Sequence, residues 1–471
     1  MSLPRVIQGG MGVGVSNWRL ANAVSKTGQL GVVSGTALDQ VLARRLQDGD
    51  PGGHMRRALS HFPVPEIAER LIETFFIEGG RKAGESYKKM PLPARDASRE
   101  SIELCVAANF VEVFLAREGH ANPVGINYLE KLQTQHLPSI YGAMLAGVEY
   151  VLMGAGIPSR IPGVLDRYVH HEPAEYPLYV TGATEADDTL LRFNPRDYIA
   201  AELPDLIRPR FLAIVASNVL AQSLLKRSNG SVDGFVVEAP EAGGHNAPPR
   251  GKLQLTDSGE PIYGERDRVD FAKMKELGVP FWLAGGFGSA GKLTEALEAG
   301  AAGVQVGTAF AFCEESGLLN EFKMSILGAA ANGGARVFTD PLASPTGFPF
   351  KVVSLAGTAS EAETYASRPR ICDLGYLREA YKTESGEIGY RCPGEPVTLY
   401  TSKGGKAEDA AGRKCLCNGL MANIGLAQVH AGKHVEPGLV TAGDDLAGIA
   451  RFLPAEGLNY SAADVIDCLT A

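Results

Sequence analysis

The 471-residue chain lacks any apolar run approaching the ~18 residues of a membrane-spanning helix, so no membrane insertion is expected. It also lacks a Lys/Arg cluster interleaved with aromatics, and a formal net charge of −9 disfavours a nucleic-acid backbone as partner. Cysteine is sparse: seven residues form no disulfide scaffold, and the odd count leaves at least one thiol free. Cys372, Cys392, Cys415 and Cys417 lie fairly close together, but they supply one C-x-C and no C-x-x-C. Reduced, partly buried thiols are therefore expected ahead of a metal or iron–sulfur centre. No His/Glu spacing marks a metal and no G-x-S-x-G elbow marks a serine hydrolase. The opening Met1 to Arg5 shows no charged leader followed by an apolar stretch, and a cytoplasmic enzyme is the expected class.

What the chain does contain is glycine, 56 residues of it, in a composition 45% hydrophobic and 21% charged. That balance is typical of a soluble globular protein, with the glycines marking turns where backbone approaches a ligand. Strand-like apolar runs recur with helical spacing between them. They begin at Arg5–Gln8 and Gln29–Gly35, and "SNWRLANAVSKTG" between them has Ser16 as candidate N-cap and Gly28 as stop. Six more follow: Pro123–Leu129, Val148–Gly156, Arg210–Ser217, Val232–Pro240, Pro280–Gly288 and Ala302–Phe310. Continuous rather than alternating apolarity suits strands buried on both faces. Eight such strands predict a (β/α)8 TIM barrel with helical and hairpin insertions and a C-terminal extension. The barrel unit is placed at 1–345, with insertions at about 46–104 and 161–209, and the extension at 346–471 packs on it. "PEIAERLIETFFIEGG" predicts an amphipathic helix, "YPLYVTG" a hairpin strand and "SAADVIDCLT" a final helix capped by Ser461.

In such a barrel the reactive groups sit at the carboxyl ends of the strands. Strand one ends in Gln8-Gly9-Gly10-Met11, where two glycines either make a tight turn or admit a planar or anionic ligand. Strand seven ends in Gly285 and Gly286, with Gly288 and Ser289 opening a helix whose free amides favour a phosphate. Strand eight ends in Gln305-Val306-Gly307-Thr308, beside the same place. Together they predict a phosphate-bearing ligand. Asn127 closes strand three and needs a partner, either backbone or an imide-like ligand edge, while Ser217 after strand five either touches the ligand or caps a helix. His245 follows Gly243 and Gly244 after strand six, on an uncluttered loop, and an imidazole there suits proton transfer.

These stretches together resemble the nitronate monooxygenase (2-nitropropane dioxygenase-like) family of FMN-dependent barrels, which includes the FMN-containing enoyl-acyl-carrier-protein reductases. The resemblance rests on "QGGMGVGVSNWRLANAVSKTGQLGVVSG", "VGINYL", "GAGIPS", "EAPEAGGH" and "AGGFGSAGKLTEALEAGAAGVQVGTAF", in family order over most of residues 5 to 315. It implies FMN bound to the barrel, with its phosphate against Gly286, Gly307 and Thr308 and Gln305 nearby. The ring would lie near Gly9, Gly10, Met11 and Asn127, with Ser217, Gly244 and Gly285 as further contacts. His245 matches the family's catalytic histidine, which in nitronate-oxidising members removes the α-proton of a neutral nitroalkane.

The chain departs from that pattern after the histidine, in Asn246-Ala247-Pro248-Pro249-Arg250-Gly251. Asn246 and Arg250 are candidate substrate contacts, Arg250 either pairing with an anionic or thioester-linked substrate or fixing the loop. The long insertions and tail also resemble larger relatives, the trans-acting enoyl reductases of polyunsaturated-fatty-acid and polyketide pathways. The first expectation is a nitronate monooxygenase passing electrons to dioxygen. The alternative is an NAD(P)H-dependent enoyl-thioester reductase, with an acyl carrier protein as partner; a third is a non-catalytic flavin-binding assembly subunit. Oligomerisation is left open.

Overall fold

A computed structural model describes residues 3–199 and 202–471; Met1 and Ser2 of the opening segment and residues 200–201 of the second insertion lie outside it. Eight parallel strands form one sheet: β1 (Val6–Gln8), β2 (Gly31–Ser34), β3 (Val124–Leu129), β4 (Tyr150–Gly154), β5 (Arg210–Val215), β6 (Gly234–Glu238), β7 (Phe281–Ala284) and β8 (Gly303–Val306). Each of the eight apolar runs read from the sequence contains one of them. Neighbours pair in chain order, and β1 pairs with β8. The ring is completed between β1 and β2, where the Gln8 amide donates to Leu30 O at 2.9 Å and the Leu30 amide donates to Val6 O at 3.1 Å. The expected (β/α)8 TIM barrel is thus what the chain forms.

Alternate residues of the strands fill the barrel: Ile7, Val32, Leu152, Leu212, Val236 and Trp282 form a separate buried cluster inside it. Trp282 is wholly buried, and its indole N–H donates to Pro4 O at 2.8 Å, so its one polar atom carries no penalty. The larger cluster lies between the sheet and the outer helices. These include α1 (Trp18–Lys26), α2 (Arg99–Arg117), α3 (His136–Leu145), α4 (Ile161–Val169), α5 (Asn218–Arg227), α6 (Phe271–Glu276) and α7 (Ala290–Glu298). No helix among the described residues is long and apolar enough to cross a membrane.

One local expectation changes. Asn17, not Ser16, caps α1 by accepting the Leu20 amide. The Ser16 hydroxyl instead accepts from the Met11 amide and from Gln8 Nε2, both at 2.9 Å, and pins the loop after β1. The amphipathic segment of the first insertion is a helix at Pro65–Phe75, as its spacing predicts. In the second insertion, Ala174–Pro177 pairs antiparallel with Leu190–Phe193.

The C-terminal segment does more than cover the barrel. After β8 the chain runs through the helix Asn320–Ala331 and the hairpin β9 (Val337–Asp340) and β10 (Phe350–Val353), then a long irregular path. It ends in α8 (Ala462–Thr470), capped by Ser461 in a reciprocal capping box with Asp464. That last helix packs against both α1 and α7, in the place of the barrel's eighth helix.

Candidate functional site

The carboxyl ends of the strands and the C-terminal segment enclose one cavity of about 470 Å³. On the barrel side its wall combines glycine backbone at the strand ends with apolar side chains such as Val13, Ile157, Ile214 and Phe287. Gly10 follows β1 so closely against β3 that a β-carbon there would stand 2.4 Å from Asn127 Cβ, so only glycine fits. Gly285 and Gly286, after β7, hold φ of +89° and +76°, left-handed values that also favour glycine. Gly9, Met11, Gly244, Gln305, Gly307 and Thr308 also line it from the barrel. The side-chain amide of Asn127 makes no hydrogen bond to the described residues, so the backbone partner open to it from sequence is not used. Gln305 Oε1 and Asn246 Oδ1 are buried without a donor, and both residues line the cavity. Buried acceptors in that state call for a ligand's N–H or O–H groups. Glycine backbone at β7 and β8, with orphaned amide oxygens beside it, fits a planar ligand carrying a phosphate.

His245 also lines the cavity. Its loop is held as an extra strand on β10: the Asn246 amide donates to Pro349 O at 3.0 Å and the Lys351 amide to Gly244 O at 3.0 Å. The ring sits edge-on to Phe350, centroids 4.9 Å apart, and its Nε2 lies 2.7 Å from Ser344 Oγ. Ser344, fully buried, is 2.8 Å from Thr346 Oγ1. With Nε2 so engaged, Nδ1 has no partner among the described residues and is the nitrogen left for a ligand. Burial, helped by the Lys131 ammonium, pushes the imidazole down to about 3, so it is neutral at pH 7.

Two further titratable groups stand nearby. Glu238, at the end of β6, lines the cavity, and burial raises its carboxyl to about 7. Lys131, after β3, lies with Nζ 2.9 Å above the Phe348 ring, and burial lowers it to about 7. Both can hold or release a proton near neutrality.

Twelve of the fourteen residues singled out from sequence are brought to this cavity. Ser217 and Arg250 are not. The Ser217 hydroxyl accepts the Leu220 amide and caps α5. Arg250 is exposed; its guanidinium donates to Ala216 O at 3.1 Å, fixing the loop to the end of β5. Asn246 is 2% exposed and donates through Nδ2 to Ala242 O at 2.9 Å, so it braces the histidine loop.

Sequence reasoning missed the opposite wall. Phe348, Leu374, Leu377, Leu416 and Leu420 give the cavity an apolar lobe, and Thr441 to Gly443 with Asp445 and Arg451 face the glycine-rich strand ends. The Gly244 amide donates to Thr441 Oγ1 at 2.8 Å and the Gly443 amide to Thr308 Oγ1 at 2.9 Å, tying tail to barrel. Glu238 was legible as a carboxyl at a strand's carboxyl end; the tail residues carry no comparable signal.

No curated protein matches the chain. Among solved structures it is similar to FabK from Thermotoga maritima at 14% identity, covering 99% of this chain and 91% of that one, with a TM-score of 0.48. It is similar to a nitroalkane oxidase from Streptomyces ansochromogenes at 15% identity, covering 99% and 94%, TM-score 0.48. It is also similar to the enoyl reductase domain of MlnA from the macrolactin cluster of Bacillus amyloliquefaciens at 13% identity, covering 99% and 93%, TM-score 0.49. Likenesses this loose say nothing of chemistry. The family resemblance read from the sequence is borne out over β5 to β8: residues 209–333, which carry His245 and both glycine-rich strand ends, match the model of the nitronate monooxygenase family.

Proposed function

We propose that this chain is an FMN-dependent oxidoreductase that reduces the double bond of an apolar-tailed enoyl thioester with electrons from NAD(P)H. The observation that carries the substrate class is the lobe of Phe348, Leu374, Leu377, Leu416 and Leu420, which opens on the same cavity as His245. Such a lobe offers an alkyl chain about 0.8 kcal/mol per buried methylene, far more than a small nitroalkane would use. The residues present fit the flavin. Gly10 leaves room beside Asn127, Asn127 and Gln305 offer unpartnered amides, and the backbone of Gly285 to Gly288 and Gly307 would hold the phosphate. Bound there, FMN supplies the two-electron transfer between the nicotinamide and the substrate.

The chain's own part is orientation and proton handling. His245, neutral and fixed through Nε2 to Ser344, presents Nδ1 to the ligand as a hydrogen-bonding group. Saturating the double bond takes a hydride at one carbon and a proton at the other. The Glu238 carboxyl, raised by burial to about 7, is a group on the cavity wall suited to give that proton.

Nitronate oxidation is the second reading, favoured by the family match over 209–333. Against it as a nitroalkane oxidase stands the imidazole at about 3, too weak a base for efficient α-proton removal at neutral pH. A preformed nitronate needs no such base. Anaerobic mixing decides: flavin bleaching by NADH or NADPH, then recovery on adding a long-chain enoyl thioester on coenzyme A or a carrier protein, is the expected result. Bleaching by propyl-2-nitronate with none by either nicotinamide would overturn it. Flavin bound with no turnover by any of these, and none altered by His245→Ala, would leave the assembly-subunit reading.

A further inference from the structure

The strand ends offer the flavin phosphate backbone amides but no side-chain charge: Gly285, Gly286, Gly288 and Gly307 have no side chains, and Gln305 and Thr308 are neutral. The tail supplies a cation. Arg451 lines the cavity and crosses from the 3-10 segment Asp444–Phe452 to the barrel, where Nη1 donates to Gly288 O at 2.7 Å. A β-carbon on Gly288 would lie 3.7 Å from that nitrogen and 3.8 Å from Val306 Cγ1, so the guanidinium stands at the junction of the β7 and β8 ends.

We infer that Arg451, contributed by the C-terminal segment, is the cationic ligand of the phosphate of the bound flavin. The inference rests on the flavin reading above. Asp445 occupies the guanidinium in this structure, with Nη1 at 2.7 Å and Nη2 at 3.1 Å from its two oxygens. The pair is about one-third exposed on each side, which leaves it a surface ion pair of small worth. A phosphate carries more charge and more acceptors than a carboxylate, and five N–H groups let Arg451 keep Gly288 O while turning others to the ligand. The segment is well braced for this. The Gly443 amide is held by Thr308, the Asp444 amide by Glu241 O at 3.0 Å, and Asp444 itself by the Lys351 ammonium at 2.6 Å. Retaining the flavin would then depend on a residue more than a hundred positions beyond the matched family segment.

The test compares FMN with riboflavin, which differ only in the phosphate, on the full chain stripped of flavin. Arg451→Ala is expected to raise the Kd for FMN roughly 10- to 100-fold, the scale of a charge-assisted contact, and to leave riboflavin within about twofold. Riboflavin binding doubles as the control for folding. Arg451→Lys should recover part of the FMN affinity, and Asp445→Asn should bind FMN at least as tightly as the parent. An unchanged Kd for FMN in Arg451→Ala, an equal loss on both flavins, or weaker FMN binding in Asp445→Asn would overturn the inference. If the parent chain bound FMN and riboflavin equally, the inference alone would fall. If it bound neither, the flavin reading would fall and take the inference with it.

Discussion

The two walls of the cavity are built on opposite plans. The barrel wall is rich in exposed backbone, with glycines after β1, β6, β7 and β8, Asn127, Gln305 and His245 among them, and apolar side chains such as Val13 and Ile214 beside them. The tail's share is mostly side chains, with Phe348, Leu374, Leu377, Leu416 and Leu420 on one hand and Arg451 on the other, and Ser344, just before the tail, holds the histidine. Backbone accepts any ligand of the right flatness and charge, so the barrel wall suits a cofactor. Side chains discriminate, so the apolar part of the tail wall suits a substrate, while Arg451 is the tail's proposed contact with the cofactor. The division makes separate predictions for the two walls.

The largest effect should come from the barrel. Gly10→Val places carbon where Asn127 Cβ already stands, 2.4 Å from the first added atom, and neither strand end can retreat without opening the barrel. Flavin binding should fall by more than about 100-fold, read by absorbance of the purified protein. A yellow Gly10→Val protein would put the cofactor elsewhere. Leu416→Ala and Leu377→Ala, in the tail wall, should instead leave the flavin content unchanged. They should cost roughly 10-fold in kcat/KM for a long-chain enoyl thioester and much less for a four-carbon one. Equal losses on both chain lengths would break the assignment of the lobe.

That contrast also explains what the sequence could tell. Strand ends are local: a glycine pair after an apolar run is visible in ten residues, and the eight strands with their glycines were legible for that reason. The capping serines, Ser217 and Ser461, were equally local. Ser344 and Arg451 reach the site only because the chain leaves β8 and returns to the barrel, after about forty residues for Ser344 and more than a hundred for Arg451, and no periodicity encodes the end of such a path. Leu416 and Leu420 carry no signal that would set them apart from core leucines. Arg250 was left between a substrate contact and a loop brace, and it takes the second place, donating to Ala216 O at the rim.

Ser344 sharpens the comparison where the walls meet. Removing its hydroxyl leaves the buried edge of His245 without a partner and frees the ring to turn. Ser344→Ala should lower kcat about 10-fold with KM little changed, and Ser344→Thr should restore part of it. A fall in flavin content in parallel with kcat would instead make Ser344 a packing residue.

The smallest effects are on stability, and their signs differ between two neighbours on the barrel wall. His245 has its folded value depressed from its ordinary one to about 3, so between pH 6.5 and about 3 the unfolded chain binds the extra proton and stability falls as pH falls. Glu238 has its folded value raised to about 7, so its contribution is complete below its unfolded value near 4.5 and is lost as pH rises through 7. A tenfold difference in proton affinity between folded and unfolded chain is worth about 1.4 kcal/mol, which makes each effect on the order of a few kcal/mol at most. Urea unfolding at pH 4, 6 and 8 should show His245→Asn flattening the acid limb. Glu238→Gln should flatten the loss between pH 4.5 and 7, because an amide in that place has no proton to give up. Were Glu238→Gln to leave the neutral limb unchanged, the carboxyl would be ionised in the folded cavity throughout, and it could not be the proton donor that reduction of a double bond requires.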